Sequence, residues 1–244
     1  MPMQRISAVA LIAILGWQGP LQAQDATRPV TIVTDLGFVN TAGNTEITTL
    51  NLGERLTYRS SDSSWLFNQF AGAVYGRTSG QETAKQLNAG VRVDRHLAST
   101  LFLFLGVKWD KDRYAGIERR FEEILGLSWR AIETPRNVLV LEGGSAFTQK
   151  QAITGVDDNF VAARGAADFK HSLSEKAFFR QLVEVLPNLE DGDDLRLNTE
   201  TSLVAPLSSK IAIKMAYGIR YDKQPEIGFK KTDRVFTSGV QIVF

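Results

Sequence analysis

The sequence predicts an all-β fold, a twelve-stranded antiparallel transmembrane β-barrel, and three observations carry that expectation. From about residue 30 onward one unit repeats: a stretch of apolar and polar residues in alternation, then a turn of Gly, Asn, Asp, Ser or Pro. The stretches often run to about 12–14 residues, where a bilayer needs about 9–11 and globular strands average about 5–6. The last stretch alternates up to a terminal aromatic. Phe236, Ser238, Val240, Ile242 and Phe244 share one face, and Thr237, Gly239, Gln241 and Val243 the other.

Turns are expected near residues 42–44, 60–64, 79–81, 97–100, 115–116, 133–135, 155–158, 172–175, 190–193, 207–209 and 224–228. Eleven turns delimit twelve strands, and an even number returns both ends to the same, periplasmic side. The first strand follows from Val30 to the Ala42-Gly43-Asn44 turn. In the second, Leu50, Leu52, Leu56 and Tyr58 form an outer face that Glu54 interrupts. The third, Trp65 to Thr78, has no unique register. In the fourth, Leu87, Ala89, Val91 and Val93 oppose Asn88, Gly90, Arg92 and Asp94. In the fifth, Leu101, Leu103, Leu105, Val107 and Trp109 oppose Phe102, Phe104, Gly106, Lys108 and Asp110.

The sixth sets Phe121, Leu125, Leu127 and Trp129 on one face, with Glu123 among them. An outward charge is costly at mid-depth, so a bulge, a rim position or a partner contact is expected at Glu54 and Glu123. The seventh to ninth strands follow from their turns. In the tenth, Leu195, Leu197, Thr199, Thr201 and Leu203 oppose Arg196, Asn198, Glu200 and Ser202. In the eleventh, Ile211, Ile213, Met215, Tyr217, Ile219 and Tyr221 oppose Lys214, Ala216, Gly218, Arg220 and Asp222.

A soluble sandwich would turn the apolar face inward; a membrane barrel turns it to lipid and lines the lumen with the polar face. Strand length favours the barrel. So does the inward ladder that results: Arg55, Arg92, Asp94, Lys108, Asp110, Arg120, Glu122, Arg164, Asp168, Arg180, Glu184, Arg196, Glu200, Lys214 and Arg220. Aromatics gather near strand ends as an interfacial girdle would. Tyr58, Trp65, Trp129 and Phe244 lie toward one rim, and Tyr75, Trp109, Tyr114 and Tyr221 toward the other.

Residues 1–23 read as a cleaved secretory signal peptide. Arg5 precedes an apolar run from Ala8 to Trp17, too short to span a bilayer as a helix. Residues 24–29 form a short periplasmic segment, and residues 30–244 the barrel. Export and the barrel pattern together place the protein in the outer membrane of a Gram-negative envelope. Its expected partners are outer-membrane lipids, lipopolysaccharide, and the barrel-assembly machinery that reads the strand ending in Phe244. The oligomeric state is open.

Composition excludes several classes. Without cysteine there is no lipidated N-terminal Cys, disulfide framework or thiolate site. Removing Arg5 with the signal leaves 27 Lys and Arg against 27 Asp and Glu, which argues against nucleic-acid binding.

Three short motifs in order carry a family resemblance: Gly43-Asn44-Thr45; Asp110-Lys111-Asp112-Arg113-Tyr114-Ala115-Gly116; and Arg220-Tyr221-Asp222 followed by Pro225, Gly228 and Lys231-Thr232-Asp233. From about Val30 to Phe244 the chain resembles the YdiY-like family, labelled salt-induced outer-membrane proteins and containing a domain of unknown function. The resemblance implies an outer-membrane barrel and a link to salt or osmotic stress. It implies no catalytic residues.

No catalytic site, cofactor or metal is expected. Barrel hydrolases use an imidazole base at the outer rim, whereas His96 and His171 lie beside predicted periplasmic turns. The acidic loops at Asp157-Asp158 and Asp191 to Asp194 suit a hard cation, but lack EF-hand spacing and also make ordinary turns. The function read from the ladder is a non-enzymatic, porin-like narrow pore for ions or small polar solutes, or an envelope-stabilising barrel whose lumen is filled. Twelve strands lie between barrels that side chains fill and barrels that leave a channel. The predicted outer loops are short and offer no evident lid. The alternatives are a lipid- or lipopolysaccharide-acting enzyme using Asp112, Asp157, Asp158 or Asp193, and a surface adhesin or receptor.

Overall fold

The computed structural model describes residues 29–41, 47–175 and 177–244. The expected signal peptide, nearly all of the segment 24–29 and the turn at 42–44 lie outside the described residues. The strands are β1 (Val30–Thr41), β2 (Ile47–Arg59), β3 (Trp65–Thr78), β4 (Gln81–Ala98), β5 (Leu101–Asp112), β6 (Ile117–Glu133), β7 (Asn137–Ala152), β8 (Asp157–Ser172), β9 (Phe178–Pro187), β10 (Leu195–Pro206), β11 (Ile211–Asp222) and β12 (Thr232–Val243). Each pairs antiparallel with its neighbours in sequence, and β12 returns to β1, so the twelve strands close as a barrel and the predicted fold class is borne out. A sheet closed on itself is the arrangement in which strands cross a bilayer.

Alternation sorts the side chains as the pleat requires. Leu50, Leu52, Leu103, Leu105, Leu125, Leu127, Ile213, Met215 and Tyr217 are exposed on the outer wall. Asn68, Arg92, Asp94, Asp110, Glu122, Arg164 and Glu184 are buried on the inner one. The ambiguous strand β3 turns Leu66, Asn68, Phe70 and Val74 inward, with Trp65, Phe67 and Tyr75 outside. Its register pairs Phe67 with Tyr58, whose tilted rings lie 5.9 Å apart, and Trp65 with Arg95, whose guanidinium lies over the indole ring.

Glu54 and Glu123 face outward, and of the three arrangements expected there the bulge is absent. Glu54 pairs in regular register with Thr34 and Ala71, and Glu123 with Val107 and Phe147. The recorded irregularities fall at strand ends instead, at His96/Ala98, Asp110/Asp112 and Arg130/Ile132 among others. Strand β4 accordingly takes up the first half of the turn expected at 97–100.

On the termini's side of the barrel, the β2–β3 turn is fixed by Asp62. Its carboxylate accepts the hydroxyls of Ser60 (2.6 Å) and Ser64 (2.5 Å) and the Ser64 amide (3.1 Å). These bonds, led by Ser60, hold its pKa down to about 2.

Barrel closure rests on the shortest ladder. Strands β1 and β12 pair over four positions, Val33 with Val243 to Leu36 with Val240, while β1 and β2 pair along their full length. Two backbone bonds between Ile32 and Phe244 extend the seam at the rim. At its inner limit the strands cross so closely that a Cβ on Gly239 would lie 2.2 Å from the Leu36 carbonyl oxygen. Glycine is required there by space.

Candidate functional site in the barrel lumen

The lumen is divided unevenly. Against the wall from β3 to β9, side chains fill it. Phe70, Phe104, Ile124, Ala146, Phe160, Ala162 and Leu186 point inward and form an apolar cluster inside the barrel. The Phe104 ring lies over Gly126, where an added Cβ would meet it at 2.7 Å. Arg92 covers the same ring, 3.9 Å from its centroid, and Arg164 lies 5.5 Å away. Placing a guanidinium over an aromatic face keeps the charge attracted while water is excluded.

Around this cluster the charges pair. Glu142 on β7 sits between Arg92 on β4 (2.7 Å) and Arg164 on β8 (2.8 Å); Arg164 also binds Glu184 (2.8 Å), and Arg92 binds Asp94 (2.6 Å). Toward the outer mouth, Glu122 on β6 receives Lys108 (2.9 Å) and Arg196 from β10 (2.5 Å), with Arg120 at 4.0 Å. Arg120 is held in a two-pronged bond by Asp110, both arms 3.0 Å. Arg180 pairs with Asp168. Contacts such as β4 to β7 and β10 to β6 join strands that are not neighbours, so they brace the lumen from wall to wall.

The wall from β10 round to β2 is different. Gly37, Gly53, Ala216, Gly218 and Gly239 leave a cleft with about 40 Å³ of room for the centres of water molecules. That volume holds a few waters. Its polar lining is Asp35, Asn51, Glu200, Lys214 and Thr237. Lys214 lies 3.3 Å from Asp35 and 3.9 Å from Glu200, and the Gln241 amide donates to Asp35 (3.0 Å).

At the outer mouth a lid exists where short loops were expected. Residues 223–231, between β11 and β12, are tied first to the neighbouring β9–β10 loop: Lys223 to Asp193 (2.8 Å) and the Gln224 amide to Asp191 (3.0 Å). The loop then crosses to the opposite wall. Glu226 reaches Lys150 on β7 (2.8 Å), and Glu226 and Phe229 pack where Gly116 lacks a side chain, at the turn between β5 and β6. Gly116 takes φ +80, which a larger residue would adopt at a cost. Beneath this strap lies a second chamber, with about 60 Å³ for water centres. Arg120, Lys150, Arg196, Arg220, Lys230 and Lys231 line it, with Asp222, Glu226 and Asp233 as its carboxylates.

Residues 34–244 match the family described as a protein of unknown function, DUF481. The chain belongs to that family. A relative in Escherichia coli (strain K12), the uncharacterized protein YdiY, is 21% identical over 210 residues, covering 86% of this chain and 81% of that one. Among solved structures, an outer membrane channel from Pseudomonas putida F1 superimposes with a TM-score of 0.54 at 12% identity, covering 93% of this chain and 98% of that one. The KdgM porin in complex with disordered oligogalacturonate gives 0.52 at 9%, covering 88% and 99%, and the NanC porin 0.51 at 10%, covering 87% and 97%. These likenesses show the fold, a β-barrel of the outer-membrane type.

In this DUF481 barrel the predicted ladder residues Arg92, Asp94, Lys108, Asp110, Arg120, Glu122, Arg164, Asp168, Arg180, Glu184, Arg196, Glu200, Lys214 and Arg220 all lie at inward positions of their strands. The sequence reading missed Glu142 and Asp35, although each sits at the inward parity of its strand, and missed the apolar cluster. Tyr58, Trp65, Tyr75, Trp129 and Phe244 are exposed on the outer wall, and Trp109 and Tyr221 are half-buried. Tyr114 departs from the girdle: it stands in the short helical turn after β5 and donates its hydroxyl to the Glu82 carbonyl (2.7 Å). Asp112 departs from the loop carboxylates. It is buried, caps that turn by accepting the amides of Tyr114 (3.1 Å) and Ala115 (3.2 Å), and lies 3.6 Å from Arg220. His96 stacks on Phe102, and the His171 ring bonds Asn137.

Proposed function

We propose that the protein is a non-enzymatic, integral barrel of the bacterial outer membrane whose lumen carries a narrow passage for ions or small polar solutes. The observation that carries this reading is the uneven lumen. Bulk and paired charge fill one side, while small side chains on the other leave a wettable, polar-lined cleft along the wall. Gly239 is set by the close approach of β1 and β12, but a barrel selected only for rigidity has no such need of a side chain as small as Ala216 opposite a packed cluster. Support also comes from the similar folds, which belong to porins and channels. His96 stacks on Phe102, His171 bonds Asn137, Asp112 caps a turn and Asp193 ties the strap, which favours transport over catalysis.

The test is conductance in a planar bilayer, using folded protein and an Ala216→Phe variant. Discrete steps in the parent that shrink severalfold in Ala216→Phe place the passage in the cleft. A folded parent that stays silent with the strap released overturns the passage. The second reading, an envelope-stabilising barrel with a closed lumen, is favoured by the apolar cluster, and silence in every variant is its signature.

A further inference from the structure

We infer that the chamber beneath the strap is a binding site for a small soluble oxyanion, a carboxylate or phosphate group. Three features point there. First, the cations of its lining share few acids: Glu122 is bound by Lys108 and Arg196 with Arg120 at 4.0 Å, Asp110 is taken up by Arg120 in its two-pronged bond, and Asp112 lies 3.6 Å from Arg220. Second, Arg196 is 92% buried (8% exposed) and lines the chamber, yet its Nε has no hydrogen-bond partner among the described residues. Its Nη1 and Nη2 are held by Glu122 (2.5 Å) and Thr148 (3.2 Å), so the side chain is fixed with one donor left over. A buried guanidinium N–H without an acceptor is costly, and a charged oxygen is the partner that relieves it best.

Third, the roof brings cations. Lys230 and Lys231 stand on the strap side of the chamber. Glu226 is bound to Lys150 (2.8 Å), Asp222 accepts the backbone amide of Gln224 (2.9 Å), and Asp233 lies in the fields of Asp112, Arg220 and Lys230. The room of about 60 Å³ for water centres admits an ion of a few heavy atoms. The roofed position makes the ligand a soluble one. The site is independent of whether the lumen conducts.

The experiment is calorimetric titration of folded, detergent-solubilised protein with sodium phosphate and with sodium acetate at constant ionic strength. Saturable binding of either anion is expected. Lys230→Ala/Lys231→Ala, confined to an exposed loop, should weaken it about tenfold, as loss of about 1.4 kcal/mol does. Arg196→Lys keeps the charge, removes the unpartnered donor, and should weaken it as well. No binding to the parent overturns the site, as does binding that neither variant changes. A protein that binds phosphate but conducts nothing retains this site and loses the passage; one that conducts but binds neither anion loses only the site.

Discussion

Glu226 and Lys150 meet at 2.8 Å across the outer mouth, one on the loop after β11 and the other on β7. Both side chains are largely shielded, at 19% and 18% exposure, so the pair is screened less than a surface one. It is the bolt that holds the strap on the far wall.

Releasing that bolt should open the mouth. Glu226→Gln removes the charge and keeps the shape. A pair of this kind contributes about 1 kcal/mol, so the open fraction in single-channel records should rise about fivefold. Unchanged records would show that the strap does not limit access.

The strap's other tie predicts a pH dependence. The hydrogen bond and charge of Lys223 hold the Asp193 carboxyl below its ordinary 3.8, and Asp193 in turn raises Lys223 above its ordinary 10.5. A lowered carboxylate stabilises the closed strap above 3.8, and that contribution is lost as pH falls through the lowered value. A raised lysine stabilises it below 10.5, and that contribution is lost as pH rises through the raised value. Conductance at neutral pH should therefore be flat and should increase in acid. Asp193→Asn should show the acid behaviour already at neutral pH.

Glu142 joins two walls by binding Arg92 and Arg164 at once. Glu142→Gln leaves both guanidinium groups undercompensated in a buried network. Breaking such a pair costs about 3–5 kcal/mol. Urea unfolding in detergent, followed by tryptophan fluorescence, should show a lower midpoint with the slope unchanged. A midpoint at the parent's value would mean that water replaces the carboxylate.

Closure of the barrel depends on Gly239. Gly239→Ala sets a methyl 2.2 Å from the Leu36 carbonyl oxygen, a backbone atom in the shortest ladder. The variant should lose the heat-dependent gel shift of a folded barrel, whereas an Ala216→Gly change nearby should retain it.

The fold was legible because a strand's period is two and the turns are chemically distinct. Leu101 to Asp110 and Ile211 to Asp222 announce their faces without help from the rest of the chain. The lumen was only half legible. Parity gives the direction of Arg92 or Arg196, but not what lies opposite, because Glu142 and Glu122 come from strands that are distant in sequence and join only when the barrel closes. The inward phenylalanines were hidden for another reason: lumen positions are expected to be polar, so Phe104 fell on an inward face without suggesting a cluster and Phe160 drew no attention. The strap was missed because loop length says nothing of the direction a loop takes. Glu226 finds Lys150 through the space left at Gly116, a contact that no local pattern encodes.

Arg196 and Glu122 stand 74 residues apart, on β10 and β6. No hairpin and no partly assembled sheet brings them together, so their attraction is absent while the strands are being added one to the next. Contacts that form only at the end of assembly do little to hasten it and mainly slow its reversal. The charged interior thus acts as a latch in time: the barrel closes without its help and, once closed, is kept from opening by it.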